Sequence, residues 1–370
     1  MIAYLTYTTG APCPTLVIDA RSLPREQSAL LAALGLTRRW LAAAGGEQVL
    51  KFAVVEPSTQ RGTDLDYRFI QALPDSPDSF DLRGSCGHSL LGAAVAGSDC
   101  GMLPGLASGR PIRVRVLNNG DRVTCEVERA DQHTVMITAR FRYSPPQAAG
   151  ELLLAGEPMT MLDVPGLDLP GERVPVSLVS TGNPYVFVDA AVLGAPSVQA
   201  LFAGRGRLLG RLVRIRAAAA TLLGWPPSGP FPKVAAVLPG DQPGSIAVRA
   251  VSVPSWHPSL ALTGSVCLAA ASSIPHTVPW IAAGAGGRGD GVVHVRTPAG
   301  RWPVAVSLAA GTQPDGCGGQ PRIAEVVVGH RTVTRYGALH IELPARLRPR
   351  SANLVPSPAK EDVTCQPLSA

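Results

Sequence analysis

The chain has 370 residues, enough for about two ordinary domains, and its 46% apolar content can bury a large core, which excludes wholesale disorder. Lys plus Arg number 33 against 27 Asp plus Glu, a formal charge of +6, yet charged residues are only 16% and aromatics 5%, leaving little for base stacking. No apolar run approaches the roughly 20 residues of a spanning helix, so neither nucleic acid nor membrane is expected as a partner.

In chain order, the opening MIAYLTYTTG lacks a charged and then apolar leader, so no signal peptide is expected. Seven cysteines (Cys13, Cys86, Cys100, Cys125, Cys267, Cys317, Cys365) form an odd set without CxxC pairs or His/Cys metal spacing. Free thiols in a reducing cytoplasm follow, with no metal and no cofactor. Residues 8–20 (TTGAPCPTLVIDA) read as a Gly turn feeding a short apolar strand, and 51–57 (KFAVVEP) as a strand opened by Lys and closed by Pro. Residues 84–94 (GSCGHSLLGAA) form a small-residue loop opening an Ala-rich helix. Residues 112–127 (IRVRVLNNGDRVTCEV) alternate apolar and polar about a Gly turn, the pattern of a hairpin.

These four blocks recur in the same order. Residues 180–190 (STGNPYVFVDA) match the first, 233–239 (KVAAVLP) the second, 262–272 (LTGSVCLAAAS) the third and 292–306 (VVHVRTPAGRWPVAV) the fourth. One short match would mean nothing; ordered recurrence of four reads as a duplication. The expected fold is α+β, two similar halves at 1–165 and 166–345, each a curled, mostly antiparallel sheet around a central helix and related by a pseudo-twofold. The link lies near PGLDLPGER, and 346–370 is expected to be a mobile tail. Between the repeats, 204–216 (GRGRLLGRLVRIR) has its arginines at helical spacing, which predicts a helix with one solvated basic face. The Gly-rich 282–291 (AAGAGGRGDG) lacks Gly-Lys-Ser/Thr and reads as a hairpin tip rather than a phosphate loop.

Several residues could carry chemistry. Only Lys51, Lys233 and Lys360 are lysines, and two of them open matching strands. A desolvated amine has a lowered pKa and can take a proton, though a lysine at a strand end can equally point to water. Cys86 stands just ahead of an apolar helix, where the N-terminal dipole favours a thiolate; buried packing is the alternative. His88 could hydrogen-bond substrate, tune the thiol or simply pack. The loops of the third blocks would turn their N–H groups toward a cleft between the halves, where an anion could sit.

The order KFAVVEPS, GTDLDYRFIQ, GSCGHSLLGAA, VPVSLVSTGNPYVFVDAAVLG, PKVAAV, LTGSVCLAAA and GHRTVTRYGALHIELP resembles the PrpF family, cofactor-independent isomerases of methylaconitate and related acids with a diaminopimelate-epimerase-like fold. The resemblance spans roughly residues 45 to 345. It implies proton removal at one carbon and return at another by a Lys and a Cys matching Lys51 and Cys86. The substrate contacts expected are Ser85, Gly87, His88, Thr181, Gly182, Asn183, Thr263, Gly264 and Ser265.

The departures matter as well. The family's opening Arg-Gly-Gly-Thr-Ser-Lys-Gly reads here as residues 8–14, TTGAPCP, with no cation, and its Pro-Asn-Cys-Gly-Asn is GSCGH. The second catalytic cysteine of epimerase relatives has no counterpart near residues 262–264, and Cys267 is read as helix packing. Arg331 and Arg335 remain as cations that could meet a carboxylate or close the last strand. The expected function is therefore a double-bond isomerase working by a 1,3-proton shift beside a carbonyl or carboxylate, on a substrate less charged than aconitate. A cyclase acting on a polyene or polyketide intermediate and a non-catalytic small-molecule binder are the alternatives. The expected partner is a small molecule, an unsaturated acid or a larger apolar intermediate, with a homodimer as the assembly considered.

Overall fold

The computed structural model describes residues 1–167, 172–252, 255–284, 291–309, 321–344 and 347. In chain order come β1 (Ile2–Thr8), β2 (Thr15–Asp19), α1 (Gln27–Ala43), β3 (Lys51–Pro57), β4 (Leu65–Ala72), β5 (Phe80–Asp81), α2 (Gly87–Asp99), β6 (Pro111–Val116), β7 (Arg122–Ala130) and β8 (Thr134–Ala148). A short α3 (Ala149–Leu152) and β9 (Thr160–Asp163) lead to β10 (Arg173–Thr181), β11 (Asn183–Asp189), α4 (Val198–Ala203), α5 (Gly206–Leu222), β12 (Lys233–Pro239) and β13 (Ser245–Ser252). The chain continues through β14 (Ser255–Trp256), α6 (Leu262–Ser272), α7 (Val278–Ala283), β15 (Val292–Thr297), β16 (Gly300–Leu308) and β17 (Arg322–His340).

Strands β17, β1, β2, β3, β4, β6, β7 and β8 hydrogen-bond in that order, and β8 returns to β17, closing a barrel. The joins β2–β3 and β4–β6 are parallel and the others antiparallel. A second ladder runs β9, β10, β11, β12, β13, β15, β16 and again β17, parallel at β11–β12 and β13–β15. The 19 residues of β17 thus serve both ladders, so a late strand completes the barrel that the first strands begin.

Alternation along the strands explains the layers, since successive side chains point to opposite faces. In β2 and β3, Val17, Ala53 and Val55 face inward onto α2, while Leu16, Ile18, Phe52 and Val54 face outward under α1. Residues 87 to 97 of α2 and every residue of α6 are buried. Small residues are frequent in both helices, and Gly92 lies so close to the Thr6 hydroxyl that a Cβ there would collide. Small side chains are what let the strands wrap a helix at this range. The outer helix α5 packs Leu208, Leu212, Ile215 and Ala219 over β9, β12 and β13.

The 204–216 reading needs correction. A helix forms, but its basic face is not wholly solvated: Arg211 and Arg216 are buried. Arg211 donates to Leu193 O in the turn after β11, and Arg216 donates to Gly229 O and Pro227 O, because the loop after the helix folds back over it and offers carbonyls. Most of the 282–291 stretch, residues 168–171 of the expected link and, apart from Leu347, the expected tail lie outside the described residues; Ala282 and Ala283 end α7.

Candidate active site

Two sequence-distant elements place the thiol and the amine. Cys86 is the N-cap of α2, with extended backbone and no capping hydrogen bond from its side chain, so the sulfur is free to turn away from the helix. Lys51 is the first residue of β3, opposite Thr15 in parallel β2, and is only 5% exposed. Its Nζ donates to Cys86 Sγ at 3.4 Å. Burial by itself pushes the Cys86 thiol up, but the Lys51 ammonium and hydrogen bonds from Ser89 outweigh it, and the thiol is held below its ordinary value. The contact with Lys51 thus favours the thiolate form of Cys86.

The loop carrying Cys86 is held from three sides. Tyr67 Oη donates to Cys86 O at 3.0 Å. Asn183, opening β11, donates from Nδ2 to Ser85 O at 2.8 Å and to Thr263 Oγ1 at 3.1 Å, while Ser85 N donates back to Asn183 Oδ1 at 3.3 Å. Gly87 meets α6 directly: a Cβ there would lie 2.6 Å from Leu262 Cδ2, so the N-termini of α2 and α6 abut. Ser85, Cys86, Gly87, Asn183 and Thr263 thus converge, as does Lys51. Gly182, with φ +78°, is exposed beside the β6–β7 turn, where a Cβ would stand 2.9 Å from Asp121 Oδ2.

Other expected contacts fall elsewhere. Gly264 and Ser265 lie within the first turn of α6 rather than in a loop before it. Gly264 packs under the Tyr185 ring, where a Cβ would overlap Tyr185 Oη. The Ser265 hydroxyl accepts from Trp302 Nε1 at 3.3 Å inside the core. Neither faces the thiol, because successive residues of a helix point about 100° apart. Thr181 ends β10 with its side chain buried. His88 is 1% exposed and stacked on His257 at 6.1 Å; burial, then Lys51, Arg331 and His257, keeps it neutral. Its two ring nitrogens have no hydrogen-bond partner among the described residues.

The remaining cations divide. Arg335 ion-pairs with Asp99 at 3.0 Å and donates to Asp131 O at the surface. Arg331 is buried flat over the Trp302 ring at 3.9 Å, and burial lowers it to about 10. Lys233 overlies the Phe231 ring at 5.3 Å and is held down to about 8 by burial. Cys267 is buried, donates to Val179 O and is pushed up to about 12 by burial, the properties of a packed thiol. The five described cysteines are free; Cys317 and Cys365 lie outside the described residues.

Sequence reasoning missed Tyr67, Ser89, His257 and Cys13. Ser89 joins Thr15 by a hydroxyl contact of 2.9 Å while supporting the thiol, and His257 accepts from Ser259 N at 3.2 Å. The Cys13 thiol is pushed up by burial but also feels Lys51 and Cys86. The cation-free opening loop is tied down at both sides: Thr8 Oγ1 donates to His88 O at 2.8 Å, and Ser259 Oγ to Gly10 O at 2.7 Å. Among the described residues no group of three or more His, Cys, Asp and Glu could hold a metal ion, and no helix is long and apolar enough to cross a membrane.

The sequence and fold have named relatives. Residues 41–317 match the family model described as PrpF protein. The (4E)-oxalomesaconate Delta-isomerase of Novosphingobium sp. (strain KA1) is 27% identical over 281 residues, 68% of this chain and 75% of that protein. The 4-oxalomesaconate tautomerase of Pseudomonas putida (strain KT2440) is 25% identical over 80% of this chain and 85% of its own. A crystal structure of methylitaconate-delta-isomerase superposes with a TM-score of 0.66 at 20% identity, covering 92% of this chain and 95% of that one. A probable proline racemase from Agrobacterium radiobacter K84 follows at a TM-score of 0.59 and 17% identity over 93% of each chain. The chain belongs to the PrpF family and is an isomerase.

Proposed function

We propose that this isomerase moves a carbon–carbon double bond by a 1,3-proton shift next to a carboxylate or carbonyl, without a cofactor, using Lys51 and Cys86. The 3.4 Å contact between Lys51 Nζ and Cys86 Sγ carries this reading. The Cys86 thiolate removes a proton from the carbon flanking the activating group, leaving a dienolate. The Lys51 ammonium returns a proton at the far end of the allylic system. That leaves a thiol and a neutral amine, and proton transfer across their direct contact restores the starting pair, so protons balance over each turnover. On this reading, amides at the abutting N-termini of α2 and α6 stabilise the negative charge that develops.

The relatives named for oxalomesaconate and methylitaconate support an unsaturated acid as substrate. The opening loop without cations favours one carrying less charge than aconitate, because a buried tricarboxylate needs charge-assisted donors. We further read the scaffold as a duplication with halves 1–165 and 166–345 about a pseudo-twofold, working in the cytoplasm. The like placement of Lys51 and Lys233, each opening a strand parallel to the one after a Gly turn, supports it.

Incubating the protein with unsaturated acids in deuterated water tests the reaction. Deuterium at the allylic carbon of recovered substrate and product is expected. A new ring without deuterium would point to cyclisation instead, and neither change to a non-catalytic binder.

A further inference from the structure

Lys233 repeats the placement of Lys51 without repeating its contact. Each lysine opens a strand in a parallel pair, Lys51 opposite Thr15 and Lys233 opposite Tyr185. Lys51 meets a thiol. The Lys233 ammonium, half-buried, has no hydrogen bond and no carboxylate within ion-pair distance among the described residues; its neighbour is the Phe231 ring, 5.3 Å from nitrogen to centroid. Phe231 in turn packs its ring edge 3.3 Å from where a Gly84 side chain would begin, so Lys233 overhangs the loop that presents Cys86.

Electrostatics agree with that position. Burial opposes the Lys233 charge most strongly and Arg216 and Lys51 add to it, while Asp81 and Cys86 favour it. Asp81 cannot act as a full counterion, since its carboxylate already holds Arg83 at 2.8 Å. A cation over an aromatic ring gains less than one in an ion pair. The approach to the thiol therefore carries two ammonium groups, of which only Lys51 is matched by the thiolate. An anion is the ligand this arrangement lacks, and the opening loop has no cation of its own.

We propose that Lys233 binds a carboxylate of the substrate and so orients the carbon acid toward Cys86, making the substrate an unsaturated acid read by this lysine in place of an opening-loop cation. This rests on the isomerase mechanism above. Lys233 is a substrate-binding residue on this account, and Lys51 and Cys86 do the proton transfer.

The test is protection of Cys86 from iodoacetamide by itaconate, a small unsaturated dicarboxylate, in the full-length protein, with labelling read at the Cys86 peptide. Itaconate slows labelling of the unaltered protein. Lys233→Met raises the half-protecting concentration about tenfold or more, the scale of one lost charge-assisted hydrogen bond. Lys233→Arg recovers most of the protection, which a merely structural lysine over Phe231 would not require. Equal protection in Lys233→Met, or no protection of the unaltered protein by saturating itaconate, overturns the assignment. Deuterium exchange separates the two ideas. If the isomerase mechanism fails, no unsaturated acid gains deuterium although protection still depends on Lys233; if only the Lys233 assignment fails, exchange proceeds with the same KM in Lys233→Met.

Discussion

Asn183 clasps Ser85 at two points, donating to its carbonyl at 2.8 Å and accepting from its N–H at 3.3 Å, although 98 residues separate them. The clasp makes the start of β11 a brace for the loop that ends in Cys86. A third bond to Thr263 ties the same amide to α6.

Asn183→Leu keeps the volume but leaves the half-buried Ser85 backbone groups without this partner. A stability loss on the order of 2 kcal/mol is expected from three net hydrogen bonds partly offset by the added apolar surface. Activity should fall further than stability explains, because the thiol loses its fixed position. Urea unfolding and isotope exchange on the same variant measure both, and full exchange activity would contradict the brace.

The thiol's reactivity has a defined pH dependence. In the native protein Cys86 is held below its ordinary value because Lys51 and Ser89 outweigh burial. Its thiolate therefore persists at pH values where an exposed thiol is protonated, and iodoacetamide labelling should begin at correspondingly lower pH. Lys51→Met removes the ammonium and leaves burial dominant, so the labelling profile should move up in pH and the rate at neutral pH should drop. A profile unchanged by Lys51→Met would mean that the two groups do not interact.

Gly264 separates packing from substrate contact. A methyl group there would strike Tyr185 Oη, so Gly264→Ala should cost about 1–3 kcal/mol by overpacking while leaving KM unchanged. Adding Tyr185→Phe should restore part of the loss. A raised KM with unchanged unfolding would return Gly264 to the list of substrate contacts.

Much of this architecture was legible because it is local. The strands opened by Lys51 and Lys233 end at Pro57 and Pro239 as the patterns require. The helices after Cys86 and Ala261 follow from small-residue runs, and the pairing of Lys51 with Cys86 from the family resemblance. The closure of β17 against both β1 and β8 was not legible, because it joins residues far apart in sequence whose alternation fits several partners. Tyr67 and His257 carry no spacing signal and reach the site through tertiary packing, whereas Ser89 stands one helical turn after Cys86 and supports it locally. Gly264 and Ser265 were misplaced for a different reason. Reading 262–265 as a loop treats neighbours as sharing a direction, whereas one helical turn sends Thr263 to Asn183 and Ser265 to Trp302. The buried Arg216 shows the same limit: spacing identifies a helix face, but a returning loop decides whether water covers it.

The most direct measurement of the central claim is the rate of deuterium entry into an unsaturated acid substrate for Cys86→Ser and Lys51→Met, with folding checked by unfolding midpoint. Serine keeps nearly the size of cysteine but raises the pKa by several units, so a proton-transfer role predicts a loss of about 100-fold or more in each variant. Near-native exchange in both, with native stability, would contradict the Lys51–Cys86 mechanism and leave the 3.4 Å contact a structural one.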